Sequence, residues 1–196
     1  SDEQKIADAY RSYIDEARIE AVDAQPLQPY LAAIRAIDSH EAMATYMGAH
    51  NGDFGAAFFG AGVGADAKNP TRHVVSTGHS GLGLPNRDYY LDARYADKEE
   101  KYQAYIAEML TQIGWDKPVE TAAEIVALEN KIAETHWTPA ENRNRDRTYN
   151  EYTIQRLAAE APGFDWQAFY TAADVGHADR VIVRQDTAMP KIAAIF

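Results

Sequence analysis

The residues best suited to bind a catalytic metal are His40 and Glu41, in the run His40-Glu41-Ala-Met-Ala44. A helical His-Glu-x-x-His motif places two imidazoles one turn apart on one helix face, with the glutamate beside them to activate water. Alanine occupies the second imidazole position here, and a single imidazole cannot hold a catalytic metal. No other histidine has a histidine partner four residues away. We therefore predict no metal-binding residue, and we interpret His40 and Glu41 as polar residues of a first helical turn.

Two glycine-containing runs partly match known catalytic or binding motifs. Gly60-Ala-Gly-Val-Gly-Ala65 fits the dinucleotide pattern, but that pattern needs a helix directly after the glycines, and Asp66-Ala-Lys-Asn-Pro70 is typical of a turn. Gly78-His-Ser-Gly-Leu82 approaches the nucleophile elbow Gly-x-Ser-x-Gly, with its last glycine displaced by one residue. We predict no nucleotide site. A hydrolase that uses Ser80 is retained as a minor hypothesis, which Ser80→Ala would test.

Two charged clusters are open to a functional or a structural interpretation. Arg143, Arg145 and Arg147, with Glu141 and Asp146, could bind an anion, but a solvated loop with internal ion pairs is favoured. In the run Arg87-Asp88-Tyr-Tyr90, the guanidinium can form bidentate hydrogen bonds, Asp88 can cap a turn, and both tyrosines can pack with satisfied hydroxyls. We interpret this run as an architectural connection between a hairpin and the next helix. The sequence thus predicts no catalytic and no cofactor-binding residue.

The pattern of apolar residues predicts a mainly α fold, a single multi-helical lobe over residues 1–196 with one small β-hairpin. The hairpin is predicted over Phe54–His79, where glycines alternate with apolar residues around a turn, and a short strand is predicted over Val181–Val183. Predicted helices cover 4–22, 28–37, 40–49, 94–114, 118–137, 151–160, 165–173 and the beginning of one at 187–196.

Two helices carry clear apolar stripes, and several helix ends carry recognisable signals. Ser1 or Asp2 could cap the first helix, and Asp38 or Ser39 the third, which Asn51-Gly52 would end. The stripe of the first helix consists of Ile6, Tyr10, Tyr13, Ile14 and Ala17, and that of the helix over 118–137 of Ala122, Ile125, Val126, Leu128 and Ile132.

Composition excludes several classes of protein. At 196 residues and 46% hydrophobic the chain can bury a core, whereas a formal charge of −11 argues against a nucleic-acid or anionic-membrane surface. No cysteine is present, which excludes disulfides, thiolate zinc sites and cysteine nucleophiles and favours a cytosolic or periplasmic bacterial protein. No apolar run approaches the roughly 18 residues of a membrane span. The charged start without Met is not a signal peptide, so we expect any signal or anchor to lie outside this sequence.

The run Gly81-Leu-Gly-Leu-Pro-Asn-Arg-Asp-Tyr-Tyr-Leu-Asp92 resembles a signature of the neprilysin and endothelin-converting-enzyme family of zinc metallopeptidases. Other blocks resemble that family in the same order along nearly the whole chain. They are Lys5–Glu16, Gln25-Pro-Leu27, Gly62–Asn69, Leu128-Glu129 with Ile132-Ala133, and Arg147-Thr-Tyr-Asn150. The central signature is specific, whereas the other blocks are persuasive only as an ordered series.

The resemblance implies two largely helical lobes, of which this chain is the N-terminal, non-catalytic one. The zinc motif, a third glutamate ligand and a later histidine would all follow the region seen here, so zinc belongs to the full-length enzyme and this chain alone is predicted inactive. The lobe would wall the cavity and restrict substrates to oligopeptides. Tyr13 stands where secreted animal members carry a cysteine. That departure indicates a bacterial relative, with an extracytoplasmic location (periplasmic or secreted) favoured and a cytoplasmic one retained.

One alternative of a different class is a stand-alone, non-catalytic module that binds a peptide or protein. Continuation of the parent reading frame into a His-Glu-x-x-His segment would favour the peptidase, and a stop after Phe196 the module. The apolar end Ile192-Ala-Ala-Ile-Phe196 suggests a cut within an element. A lobe without its catalytic partner would expose an interface, so we expect it to self-associate.

Overall fold

The computed structural model describes residues 1–53 and 57–196, and they form two compact units, Ser1–Ile37 and Asp38–Phe196. Helices predominate in both units, as predicted. No helix in the described part of the chain is long and apolar enough to cross a bilayer.

The first unit contains three α-helices and one 3-10 turn rather than the predicted pair of helices. The predicted helix over 4–22 is wrong as a single element, because it divides into α1 (Asp2–Ile14) and α2 (Glu16–Val22). Asp15 ends the first and caps the second by accepting the Arg18 N–H at 3.0 Å. A 3-10 turn, Gln25–Leu27, leads into α3 (Gln28–Arg35). The stripe residues of α1 are exposed, Tyr13 at 81%.

The second unit begins with α4 (His40–Ala49), whose predicted bounds and Ser39 cap are both confirmed. The remaining helices are α5 (Asp88–Leu91), α6 (Ala96–Gln112), α7 (Pro118–Thr135), α8 (Pro139–Asn142), α9 (Ile154–Glu160), α10 (Trp166–Ala172) and α11 (Met189–Ala193), with a 3-10 turn over Ala93–Tyr95.

The predicted hairpin is present but is half of a larger sheet, which corrects the prediction of a hairpin alone. β1 (Phe59–Asp66) and β2 (Asn69–His79) pair antiparallel, while Phe54, Gly55 and Ala56 of the predicted range lie outside the described residues. β4 (Val181–Val183), the predicted short strand, pairs parallel with β2 and antiparallel with β3 (Asn150–Tyr152), giving the order β1-β2-β4-β3. The prediction of a helix from 151 is therefore wrong at its start, because Thr153 caps the helix after the strand ends.

The core of the second unit lies between the sheet and the helices that precede and follow it. Aromatic rings of Phe59, Phe164 and Trp166 contact one another with centroids 4.4–4.9 Å apart. Helices α4 and α10 pack so closely that a Cβ on Gly48 would lie 2.2 Å from the Phe169 carbonyl oxygen. Glycine is therefore required at that crossing.

Candidate functional site

His40 and Glu41 lie in the first turn of α4, as predicted, and they do not form a metal site with their neighbours. The His40 ring packs edge-on against Phe196, 5.0 Å away, while Ala44 is fully buried in the core. The position one turn after His40 thus faces packed apolar side chains. Across residues 1–53 and 57–196, no group of three His, Cys, Asp or Glu side chains could hold a metal ion.

The glycine-rich run Gly60–Ala65 lies within β1, and the chain turns directly into β2. No helix N-terminus follows the glycines, so the arrangement that would hold a pyrophosphate does not form. Ser80 lies just beyond β2. Its N–H donates to the Phe58 carbonyl at 2.8 Å, and its carbonyl accepts from His136 Nε2 at 3.0 Å. The imidazole is thus held by a backbone carbonyl, which is a structural arrangement rather than a catalytic one.

His136 stacks on His79 with ring centroids 3.7 Å apart. Burial, followed by the charge of Arg184, lowers the pKa of His79 to about 4. Burial also lowers the pKa of His136 to about 3, with further contributions from His79 and Arg87. Both rings are therefore neutral at neutral pH, because burial penalises the charged imidazolium.

The family-like signature is held by Glu129 of α7. Its carboxylate accepts hydrogen bonds from the Tyr90 hydroxyl at 2.6 Å and from the Tyr102 hydroxyl at 3.0 Å. The Tyr90 oxygen in turn accepts the Leu84 N–H at 2.9 Å. Burial and then Glu129 raise the pKa of both tyrosines above the ordinary value, so both hydroxyls stay protonated donors. We call Glu129, Tyr90 and Tyr102 the Glu129 cluster.

The glycines of the signature are required by close packing. A Cβ on Gly83 would lie 1.7 Å from the Tyr102 hydroxyl oxygen, and Gly81 has a φ of +89°, in the left-handed region. The predicted role of Asp88 as a turn cap is wrong, because Asn86 Oδ1 accepts the Asp88 N–H at 2.9 Å. The predicted bidentate role of Arg87 is not seen: its Nε is buried without a hydrogen-bond partner among the described residues.

A buried carboxylate, that of Asp66 at the end of β1, was not singled out from the sequence. Its side chain is inaccessible to solvent and is bound by Arg180, by Arg72 Nε at 3.2 Å and by the Tyr149 hydroxyl at 2.8 Å. Burial raises its pKa, but hydrogen bonds from the Lys68 N–H, Tyr149 and Arg180 outweigh that effect and hold the pKa well below the ordinary value. The only sequence signal was its place at the hairpin turn.

The polar segment before β3 forms internal contacts, as the favoured interpretation predicted. Arg147 pairs with Glu141 at 3.2 Å and its guanidinium lies 4.4 Å from the centroid of the Trp137 ring. Arg143, Arg145 and Asp146 are exposed. The arginine cluster and the Arg87–Tyr90 run, which the sequence singled out, therefore remain separate. The structure instead brings Glu129 together with the signature and Asp66 together with Arg180. Both carboxylates hold neighbouring segments in place.

Comparison with known proteins gives a consistent result over the whole chain. A family model described as peptidase family M13 matches residues 1–196. Endothelin-converting enzyme 1 of Cavia porcellus is 25% identical over 99% of this chain and 28% of that protein, and the Rattus norvegicus enzyme is 25% identical over 99% and 27%.

Solved structures agree with those relatives. Mycobacterium tuberculosis zinc metalloprotease Zmp1, in complex with an inhibitor, is 33% identical with a TM-score of 0.91, covering 100% of this chain and 30% of Zmp1. PepO from Lactobacillus rhamnosis, at 13% identity, a TM-score of 0.72 and coverage of 93% and 30%, shows a shared fold alone. The chain thus spans less than one third of the length of the relatives it matches.

Proposed function

The chain belongs to peptidase family M13, and from that premise we propose that it is the N-terminal, non-catalytic lobe of a zinc metalloendopeptidase that hydrolyses oligopeptides. The observation that carries the proposal is the extent of the match. All of this chain corresponds to only 30% of zinc metalloprotease Zmp1. Hydrolysis is then assigned to the polypeptide outside this chain.

The donor chemistry of the described residues does not fit a catalytic zinc ion, which supports that assignment. A zinc site needs three protein ligands that converge on one point. His40 has the buried methyl group of Ala44 one turn away, and His79 and His136 stack face to face with His136 Nε2 bound to a carbonyl. No catalytic step is therefore attributed to residues of this lobe.

The proposed contribution of the lobe is to wall the substrate cavity and to restrict entry to oligopeptides. The support is that its polar networks serve rigidity: the half-buried Glu129 fixes the signature, and the buried Asp66 joins the hairpin to Arg180. A wall that selects by size must keep its shape when substrate arrives, and satisfied buried networks provide such rigidity. We also propose that the isolated lobe self-associates and that the full-length protein is located outside the cytoplasm.

Reconstitution tests this function directly. The 196-residue chain alone is expected to show no stoichiometric zinc binding and no peptide hydrolysis. When it is mixed with the remaining polypeptide of its reading frame, the mixture should cleave short peptides but not folded proteins, and a chelator should stop that cleavage. Glu129→Gln in this chain should lower the yield of active complex, and Glu134→Gln, an exposed residue of the same helix, provides the matched control. Chelator-sensitive hydrolysis by this chain alone would contradict the proposal.

A stop codon after Phe196 would instead favour the stand-alone binding module. Sedimentation of the isolated chain over a concentration series tests self-association, for which a strictly monomeric profile is the contrary outcome. Fractionation of cells that express the full-length protein tests the location, and recovery in the cytoplasm would contradict an extracytoplasmic one.

A further inference from the structure

β1 lies at one edge of the four-stranded sheet, and its backbone groups alternate in direction. The Phe58 carbonyl accepts from the Ser80 N–H, so even-numbered residues here are hydrogen-bonded to β2. Opposite Ala61, the Thr77 carbonyl turns away and accepts from the Arg184 N–H at 2.9 Å. The odd-numbered residues of β1 therefore direct their N–H and C=O groups outward, away from the sheet.

Asn51 demonstrates that this outward edge accepts a two-point partner. Its Nδ2 donates to the Ala61 carbonyl at 2.6 Å, and its Oδ1 accepts the Ala61 N–H at 2.8 Å. A residue of an added strand would make the same pair of hydrogen bonds. The next outward residues, Val63 and Ala65, have no corresponding partner within residues 38–53 and 57–196, and the Val63 side chain is 61% exposed.

The three glycines of β1 have no explanation in the described part of the fold. A Cβ on Gly60, Gly62 or Gly64 would meet no atom within 4 Å, and none of the three has a positive φ. Glycine weakens a strand interior and often marks close approach of another backbone or a ligand. Together these glycines leave one face of the strand without side chains, and we call this face the glycine strip.

From Phe59 to Ala65 the edge also lacks the charged and proline residues that commonly prevent strand addition, and a register shift between Ala65 and Asp66 ends it at the turn. Natural edges are blocked by lysine, proline, inward charges or very short strands. The opposite edge, β3, follows that rule, since it has three residues and includes Glu151. β1 has no charged residue and no proline between Phe59 and Ala65.

We propose that the outward edge of β1 binds an extended peptide as an added strand, with bulky side chains at alternate positions lying over the glycine strip. The proposal rests on the proposed function in that it takes a peptide as the ligand. Val63 and Ala65 supply the backbone pairing, and cross-strand side chains of the peptide cover Gly62 and Gly64. The vacant edge is only two outward residues long, between Asn51 and the turn at Asp66. That length suits a short peptide and is too small for a stable interface between two copies.

The test uses the 196-residue chain and the acetylated, amidated peptide Thr-Phe-Thr-Phe-Thr-Phe-Lys, with affinity measured by calorimetry and amide protection by NMR. Binding should protect the Val63 and Ala65 amides selectively. A version of the peptide that is N-methylated at alternate residues keeps every side chain but loses the pairing N–H groups, and it should bind at least tenfold more weakly. Equal binding of both peptides would overturn the proposal.

Two variants and a control separate pairing from coverage. Val63→Pro removes an outward N–H and should weaken binding about tenfold, whereas Val63→Ala keeps that N–H and should have little effect. Gly62→Val fills the glycine strip with the chain's own side chain and should weaken binding without loss of stability. If neither Val63→Pro nor Gly62→Val changes peptide binding, the proposal is overturned. It is also overturned if these substitutions change only the dimerisation of the chain, because a second copy would then be the occupant of the edge. Either result leaves the reconstitution experiment, and with it the proposed function, unaffected.

Discussion

Substitution of the two tyrosines of the Glu129 cluster should have unequal costs, and the difference can be estimated from their hydrogen bonds. Tyr90→Phe removes a donor to the Glu129 carboxylate and also leaves the Leu84 N–H without its acceptor. A hydrogen bond to a charged group contributes about 1.5–3 kcal/mol, and an orphaned donor costs about 1–3 kcal/mol. The free energy of unfolding should therefore fall by roughly 3–5 kcal/mol. Tyr102→Phe removes only the bond to Glu129 and should cost about 1.5–3 kcal/mol.

Urea denaturation followed by tryptophan fluorescence measures both values on the 196-residue chain. Glu129→Gln provides the background that separates the two parts of the Tyr90 effect. In that background the charge-assisted bond is already weakened, but the Leu84 N–H still needs the Tyr90 oxygen, so Tyr90→Phe should still cost about 1–3 kcal/mol. The reasoning is refuted if Tyr90→Phe costs no more than Tyr102→Phe, or if its whole effect disappears with Glu129→Gln.

Three further predictions test other parts of the fold. Gly48→Ala places a Cβ against a backbone carbonyl of α10 and should destabilise the chain by about 1–3 kcal/mol. Gly62→Ala places its Cβ in open space and should stabilise the chain by about 0.5–1 kcal/mol. Thermal unfolding measures both effects. Asp66→Asn should lower the urea midpoint far more than Glu151→Gln, because Asp66 is buried against two arginines and Glu151 is exposed; equal shifts would contradict this. The folded-state pKa of His136, about 3, lies below its unfolded value, so its contribution to stability is complete above about pH 6.5 and is lost as the pH falls. The unfolding free energy of the native chain should fall by roughly 3 kcal/mol between pH 7 and pH 4 through this group, and His136→Gln should abolish that part of the pH dependence.

Local signals predicted the elements of this fold that depend on neighbouring residues. The cap at Asp38 or Ser39 and the stop at Asn51-Gly52 gave α4 at its observed bounds, and the turn over Asp66–Pro70 gave the hairpin. A cap was also the reason for one error, because Asp15 can begin a helix as readily as it can continue one, and it divides the predicted first helix in two.

The sheet, the buried Asp66 and the half-buried Glu129 depend on residues far apart in sequence and could not be predicted from local patterns. β3 is three residues long and polar, so it becomes a strand only because β4 pairs with it. Asp66 resembled an ordinary turn residue, since its partner Arg180 lies 114 residues away. Glu129 was noticed only as part of a family-like block. Its contact with Tyr90 spans 39 residues, and nothing in either segment alone indicates the other.

The buried polar groups lie at the two ends of the hairpin, and this placement links the rigidity of the lobe to its proposed peptide edge. At the turn end, Asp66 ties β1 to Arg180. At the other end, His136 holds the Ser80 carbonyl, and the segment that follows is fixed by Glu129. The edge between them is therefore presented in one conformation before any ligand arrives, and a preorganised strand loses little conformational entropy on binding. It follows that Asp66→Asn should weaken peptide binding by loosening the edge, whereas Glu151→Gln should not, although neither side chain would touch the peptide.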